Sequence, residues 1–523
     1  MERLTLDVAI LGGGLAGSLL ARQIRRTLPQ LHVGVFEKAR ESSYKVGEST
    51  VEIASNYLIR RLGLSTYLYD RHLPKNGLRF FFDTPAKDAE LHEMTEVGSV
   101  SMPFHPSFQI NRARLERDLW ERNRADGVHV RTGVRAHDLE LGRAGACHHF
   151  AFSGEGVEGR CESRWLVDAA GRASLIARAE GLRVAETDHP IAAVWGRFTG
   201  VRDLDEFGPE SFRARVRHSS RMLSTVHFCY PGYWIWFIPL KDGVTSVGVV
   251  GDRDSVDGVR RTEAGFADFL GCHRAVASLL ESAEMLDIGS YAQLAYSTTR
   301  YFSADRWGLS GDAAAFADPF YSPGSDFIAL ENDFLTDLIR RDLAGEDAAS
   351  LRERVELYDE FMRFRHEATM LLYRGLYSTL GSYELYRLKW DLDIACYYNL
   401  WVAPYMLDQH LDADFLRTQL REKNFILQAL RNFAALFHKL EDRLRERGQL
   451  YRGNLGGFAQ PLDSVPYTGE VGTPRPRETV LARTAEAFNH VRDRALDLLE
   501  DLPEPAARKP LPLTAFMTSR PLA

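Results

Sequence analysis

The chain has 523 residues, 45% hydrophobic and 26% charged, with a formal net charge of -7 at pH 7. That composition suits a soluble globular protein of two or three packed units, and the intermixed charges exclude a nucleic-acid or anionic-membrane surface, so a small-molecule partner is expected. Five cysteines lack CxxC spacing, and the sixteen histidines form no HxH or HxxxH pair beside a carboxylate. Neither a disulfide framework nor a metal centre is therefore expected. No run approaches the ~18 apolar residues of a spanning helix, and the first apolar run enters glycines instead of a cleavage site; a cytoplasmic protein is expected.

Residues 6–11 (LDVAIL) form a short buried-strand pattern that runs at once into Gly12-Gly13-Gly14-Leu15-Ala16-Gly17 and a helical stretch over 18–28. Strand, tight turn and helix is the context in which a glycine-rich motif holds a dinucleotide. Gly12 supplies the turn, Gly14 lets the backbone approach a pyrophosphate, Gly17 permits close helix packing, and the phosphates sit on the helix N-terminus beside Ala16. A second strand over 32–36 ends at Glu37, twenty residues past Gly17, where a carboxylate accepts hydrogen bonds from an adenosine ribose.

Farther along stand Gly47-Glu48-Ser49-Thr50, then Leu73-Pro74-Lys75-Asn76-Gly77 opening an aromatic strand, then Arg112 in FQINRARLERDL. Two β-rich stretches, about 77–159 and 191–294, are expected to form one sheet roofing a substrate pocket. The segment 165–172 (WLVDAAGR) reads as a strand running into a turn. Trp234-Ile235-Trp236-Phe237-Ile238-Pro239 alternates with both tryptophans on one face. Residues 307–314 (WGLSGDAA) form another strand ending in Gly-Asp. There Asp312 is placed to accept a hydrogen bond from a ribityl hydroxyl, and a helix over 325–343 starts beyond Pro319. From 351 to 447 the pattern is helical and aromatic-rich; 453–477 is an irregular Gly/Pro-rich segment, 479–499 a helix, and the last twenty residues a loose tail.

Gly12, Gly14 and Gly17, Arg112, VDAAGR and GDAAAFADPFYSPG resemble, in order, the nucleotide-binding pieces of FAD-dependent monooxygenases of the aromatic-hydroxylase fold. Within that group, Gly47-Glu48-Ser49 and the uninterrupted WxWxIP segment resemble flavin-dependent halogenases, nearer to the phenol- and pyrrole-modifying branch than to the tryptophan halogenases. The resemblance implies an α/β fold: a Rossmann-like FAD-binding domain with an interleaved β-sheet substrate domain and a C-terminal helical region. The core would span 1–345, with nucleotide pieces at about 1–76, 161–190 and 296–345 and sheet pieces at about 77–160 and 191–295. A helical cover over 346–450 and an irregular 451–523 with one helix would follow.

The resemblance also implies that Arg112 contacts FAD, that Glu48 and Ser49 lie beside it, and that a separate flavin reductase supplies FADH2. Reduced flavin, oxygen and chloride or bromide would give hypohalous acid. Lys75 would then hold or activate that acid toward an electron-rich phenol or pyrrole-like substrate, free or carrier-tethered. Lys45 is the competing lysine, expected nearer phosphate or solvent. Trp234, Trp236, Ile238 and Pro239 would keep the substrate from the flavin. The chain departs from the family at Ser322-Pro323-Gly324, where the turn whose NH groups cradle the halide carries a proline, leaving halide binding to Gly324 and Ser325. Tyr321 stands where tryptophan-specific members carry a glutamate. Asp326 is either a helix N-terminal charge or a base acting on a phenol. The alternative function is an FAD-dependent monooxygenase that works without halide.

Overall fold

The computed structural model describes residues 2–256, 259, 261–461, 470–518 and 520–522. The first strand, Glu2–Leu11, lies at the centre of an eight-stranded sheet, paired in parallel with Val33–Glu37 on one side and Val157–Asp168 on the other. His129–Thr132 extends the sheet beyond Val33–Glu37, and Trp307–Leu309 extends it beyond Val157–Asp168, both in parallel. A parallel sheet covered on both faces needs apolar side chains on both faces of its strands, and Val8 to Leu11 are all buried. Chain connections leave the first strand in opposite directions, so a crevice opens at the carboxyl ends of Glu2–Leu11 and Val157–Asp168, where such sheets bind ligands. The helix Leu15–Thr27 starts at that crevice and carries Arg25 and Arg26 in its last turn, where positive charge complements the helix dipole.

A second, nine-stranded sheet is mostly antiparallel. At its centre Tyr233–Pro239 pairs with Thr225–Tyr230 and Val244–Asp252, and Leu78–Phe82 continues the sheet in parallel with Thr225–Tyr230. Alternation sends Ile235 and Phe237 to an aliphatic and phenylalanine core and sends Trp234, Trp236 and Ile238 to the opposite face. That second face packs against aromatic side chains of the C-terminal region, among them Tyr373, Tyr377, Tyr386 and Trp390. The helices there are Ala348–Met370, Tyr383–Cys396, Ala413–Glu446 and Arg477–Glu500, and Tyr383–Cys396 runs directly into a π-helical turn, Tyr397–Val402.

Two expectations need correction. Of the stretch 77–160, only the segments up to about residue 109 serve the second sheet or its margin. The helix Arg112–Ala125 crosses back, and His129–Thr132, Val134–Glu140 and His148–Gly154 all join the nucleotide sheet. Alternation reports that a strand has two faces; it does not report which sheet the strand enters. The C-terminal tail is not loose either: Leu513–Phe516 is a helical turn whose Phe516 is fully buried and stacks on Phe433 at 5.7 Å. Within the irregular segment, Phe458–Ala459 adds an edge strand to Thr95–Val97, and residues 462–469 lie outside the described residues. No helix among the described residues is long and apolar enough to cross a membrane.

Candidate active site

The glycine turn has the stereochemistry its sequence requires. Gly12 adopts φ +103°, and a Cβ there would meet the Ala169 carbonyl oxygen at 2.3 Å; a Cβ at Gly17 would lie 2.0 Å from the Gly12 carbonyl oxygen. A Cβ at Gly14, by contrast, meets nothing within 4 Å, so this glycine faces open space at the helix N-terminus. Glu37 accepts hydrogen bonds from Gly13 N at 2.7 Å and Ala39 N at 2.8 Å, and Trp120 Nε1 donates to the Gly13 carbonyl at 2.6 Å. Ala16 is buried, and its carbonyl accepts from Nδ2 of Asn332, on the later helix Gly324–Leu343, at 3.2 Å. Asp312 stands in the turn after Trp307–Leu309, and no hydrogen bond reaches its carboxylate from the described residues; burial pushes that carboxyl up, opposed by Arg112, Arg172 and Arg183. An open glycine at a helix start and an acceptor lacking a protein donor fit a bound dinucleotide.

Arg112 begins the helix that crosses between the sheets. Its guanidinium donates to the Val46 carbonyl at 2.6 Å and to Glu116 at 3.0 Å, and Lys45 donates to the other Glu116 oxygen at 2.6 Å. Lys45 is thus tied to Glu116 on the approach to the Gly47-Glu48-Ser49 turn. Glu48 is buried and paired at 3.3 Å with Arg197, which enters from the second sheet; burial pushes the Glu48 carboxyl up and Arg197 opposes it.

Lys75 ends the short strand Leu73–Lys75 and is only 1% exposed. Its Nζ donates to Ser49 Oγ at 2.8 Å and to the Thr50 carbonyl at 2.8 Å, and Thr225 Oγ1 donates to Ser49 Oγ at 2.9 Å. An ammonium carries three donors, so one remains for an incoming group. Burial holds this amine down to about 8, with Glu52 and Asp326 nearby pulling it back up.

The helix Gly324–Leu343 begins beside these groups. Asp326 is fully buried; it accepts from Ala54 N at 2.8 Å and from Tyr397 OH at 2.9 Å. Burial pushes its carboxyl up to about 7 against those two donors and Arg365. Tyr398 OH donates to Glu52 at 2.8 Å, so consecutive tyrosines of the π-helical turn cap the two carboxylates nearest Lys75. Pro323 is the N-cap of the helix, Gly324 is exposed, and Ser325 Oγ is buried with no partner among the described residues.

On the tryptophan strand, Trp236 Nε1 donates to Ser246 Oγ at 3.2 Å and Trp234 Nε1 donates to Tyr377 OH at 3.2 Å; Tyr377 OH donates in turn to Asp318 at 2.6 Å. Trp234 meets Phe320 edge-on at 5.2 Å, just before Tyr321 and the Ser322-Pro323-Gly324 turn. Lys75, Ser49, Asp326 and the tryptophans therefore surround one region between the two sheets and the C-terminal helices.

The FAD binding domain family profile matches residues 5–325. The chain belongs to this FAD-binding family. A flavin-dependent halogenase of Dictyostelium discoideum, chlA, is 28% identical over 438 residues, which covers 77% of this chain and 71% of that one. A 1H-pyrrole-2-carbonyl-[peptidyl-carrier protein] chlorinase of Pseudomonas fluorescens is 27% identical over 339 residues, covering 61% of this chain and 72% of that one. Among solved structures, halogenase PltM in complex with phloroglucinol and FAD superposes with a TM-score of 0.68 over 98% of this chain and 99% of that chain, at 16% identity. The shared fold thus includes the C-terminal helices.

Around this region the FAD-dependent oxidoreductase also gathers residues that no local sequence pattern singled out. Glu52, His227, Arg197, Asp318, Arg365, Tyr377, Tyr397 and Tyr398 sit in no motif with a fixed spacing to the glycine turn. His227 stacks on Phe80 at 4.6 Å and donates from Nδ1 to the Arg79 carbonyl at 3.2 Å; burial lowers it to about 3, so the ring is neutral. Asp318 had one usable signal, the Asp-Pro that precedes the Ser-Pro-Gly turn.

Proposed function

We propose that this flavoenzyme halogenates an electron-rich aromatic acceptor, a phenol or pyrrole-like ring, using chloride or bromide, oxygen and FADH2 delivered by a separate reductase. Gly12, Gly14, Ala16, Gly17 and Glu37 would hold the adenosine and pyrophosphate, and Glu48, Ser49, Arg112 and Asp312 the ribityl and flavin portions. With oxygen and halide, bound reduced flavin supplies hypohalous acid. The observation that carries the reading is a fully buried lysine, Lys75, hydrogen-bonded to Ser49 of the flavin turn. A buried ammonium is costly unless its donors are used, and the free third donor is suited to holding hypohalous acid where water cannot quench it.

Attack by an aromatic carbon on the halogen of that acid forms the carbon–halogen bond and breaks the halogen–oxygen bond; the oxygen leaves as water with a proton donated by the Lys75 ammonium, and a ring proton is left to be removed. Asp326 is the group in reach with a carboxyl near neutrality, and Tyr397 keeps it oriented. Trp234, Trp236, Ile238 and Pro239 form a rigid wall that excludes the acceptor from the flavin. Gly324 and Ser325 would hold the halide at the helix start. The aromatic acceptors named for related halogenases, a carrier-bound pyrrole and phloroglucinol, support an aromatic ring that is free or tethered.

The test is mass spectrometry of products from a panel of phenols, indoles and pyrroles with FAD, NADH, a generic flavin reductase and bromide or chloride. Halogen isotope doublets that vanish in Lys75→Met, while flavin reoxidation persists, are the expected result. Pro323 favours a second reading, a monooxygenase without halide, because proline withholds an NH from the halide turn. Products heavier by one oxygen, formed equally without halide, are the signature of that activity.

A further inference from the structure

Asp318 joins three parts of the molecule through side chains that are all buried. Its Oδ2 accepts from Tyr377 OH at 2.6 Å and from His189 Nε2 at 2.8 Å, and its Oδ1 accepts from Phe320 N at 2.9 Å. Asp318 and Phe320 lead into the Ser322-Pro323-Gly324 turn, His189 precedes the strand Ile191–Thr199 of the second sheet, and Tyr377 opens the 3-10 turn Tyr377–Gly381 of the C-terminal region. An indole NH only donates, so the Tyr377 oxygen accepts from Trp234 Nε1 at 3.2 Å and its own proton goes to Asp318. The direction of the chain Trp234, Tyr377, Asp318 is therefore fixed. The 3-10 turn is itself seated on the hairpin that leads into the tryptophan strand: a Cβ at Gly381 would lie 2.4 Å from Pro231 N. The His189 ring meets Tyr377 edge-on at 5.4 Å.

Trp234 stands between the turn and the lysine. Its ring lies 5.2 Å from Phe320, just ahead of the turn, and 5.1 Å from His227, which stacks at 4.6 Å on Phe80 of the strand that follows Lys75. How the indole is turned therefore sets the passage between the two. A strand backbone leaves a tryptophan several rotamers, and packing alone would need only apolar neighbours. A buried tyrosine hydroxyl needs its hydrogen bonds completed, and here one of them is completed by the indole. We infer that Tyr377, oriented by Asp318 and His189, is a positioning residue that fixes the indole of Trp234, so that the C-terminal region and not the tryptophan strand alone sets the barrier in front of Lys75. The consequence for escape of hypohalous acid rests on the proposed halogenase reading; the placement of the indole does not.

The experiment labels the full chain with 5-fluorotryptophan, loads it with FAD, and assigns the Trp234 fluorine resonance by its loss in Trp234→Phe. Tyr377→Phe keeps the ring and removes the hydroxyl. It is expected to shift that resonance while those of Trp120 and Trp165, on the helix Arg112–Ala125 and the strand Val157–Asp168, stay in place. Asp318→Asn alters a group that bonds Tyr377 and not the indole; it is expected to move the same resonance, which keeps the test decisive should Tyr377→Phe not fold. Turnover with bromide, flavin reductase, resorcinol and the dissolved trap monochlorodimedone then measures escape. The share of bromine found on the trap is expected to rise about fivefold in Tyr377→Phe, the scale of one hydrogen bond. It should rise no further when Tyr377→Phe is added to Trp234→Phe, because a residue that acts through another adds nothing once that other is gone. A Trp234 resonance that neither variant moves, or a Tyr377→Phe effect that persists in full in the Trp234→Phe background, overturns the inference. Wild-type protein that brominates neither resorcinol nor the trap would sink the halogenase reading, and the fluorine resonance would still decide this one.

Discussion

Lys75 Nζ and Ser49 Oγ lie 2.8 Å apart, so the buried lysine is tied to the Gly47-Glu48-Ser49 turn proposed to lie beside the flavin. The lysine side chain, which burial holds down to about 8, donates to both Ser49 Oγ and the Thr50 carbonyl and so joins two distant chain segments. Lys75→Met preserves the buried volume and removes the donors. Halogenated product is expected to fall about a hundredfold or more, the scale of a lost proton or hydrogen-bond donor in catalysis, while oxygen uptake by reduced flavin continues. Ser49→Ala is expected to give a smaller loss at unchanged fold, since Thr50 still accepts from the lysine. Product yield and oxygen consumption measured together check both.

Burial pushes the Asp326 carboxyl up to about 7 and holds the Lys75 amine down to about 8. With the ionised carboxylate and the ammonium as the working forms, halogenation rises through about 7 and declines through about 8. Asp326→Asn is expected to remove the rising limb, and Tyr397→Phe to move it upward in pH, because Tyr397 OH favours the ionised carboxylate. Stability follows the opposite sign. The folded carboxyl titrates near 7 and its unperturbed counterpart at 3.8, so between those values the unfolded chain binds fewer protons and stability falls as pH rises. Urea midpoints at pH 5 and pH 7.5 should diverge less in Asp326→Asn than in the wild type.

Gly14 and Gly17 separate binding from folding. Gly17→Ala forces a Cβ to 2.0 Å from a carbonyl oxygen and is expected to cost about 1–3 kcal/mol or to prevent folding. Gly14→Ala meets nothing within 4 Å, so its urea midpoint should match the wild type while FAD affinity falls about tenfold, because the methyl group occupies the face open to the pyrophosphate. Fluorescence titration with FAD beside denaturation curves tests the pair.

Pro323 caps the helix Gly324–Leu343 at φ -74°, a value alanine also adopts, so Pro323→Ala adds an NH without moving the turn. Half-saturating bromide is expected to fall about fivefold, the scale of one added hydrogen bond, and to rise in Ser325→Ala, which removes a buried hydroxyl that has no partner among the described residues. Bromide dependence of product formation measures both; an unchanged dependence in the two variants would place the halide elsewhere.

The amino-acid sequence by itself determined the elements whose rules are local. The strand-turn-helix around Gly12, Gly14 and Gly17 was legible because steric limits on φ and on Cβ act within a few residues. The tryptophan strand was legible because period-two alternation sends Trp234 and Trp236 to one face. Only the tertiary structure decided which sheet each strand joined, and with it the return of His129–Thr132 to the nucleotide sheet. It also decided the surroundings of Lys75. Asp326 meets Ala54 across 272 residues and Tyr398 meets Glu52 across 346, and nothing in the local pattern of a helical tyrosine or a strand-end lysine encodes such partners. Burial of a charged side chain is a property of everything packed around it, which is why a lysine that reads as a solvated turn residue becomes, once folded, an amine held near neutrality at the centre of the proposed site.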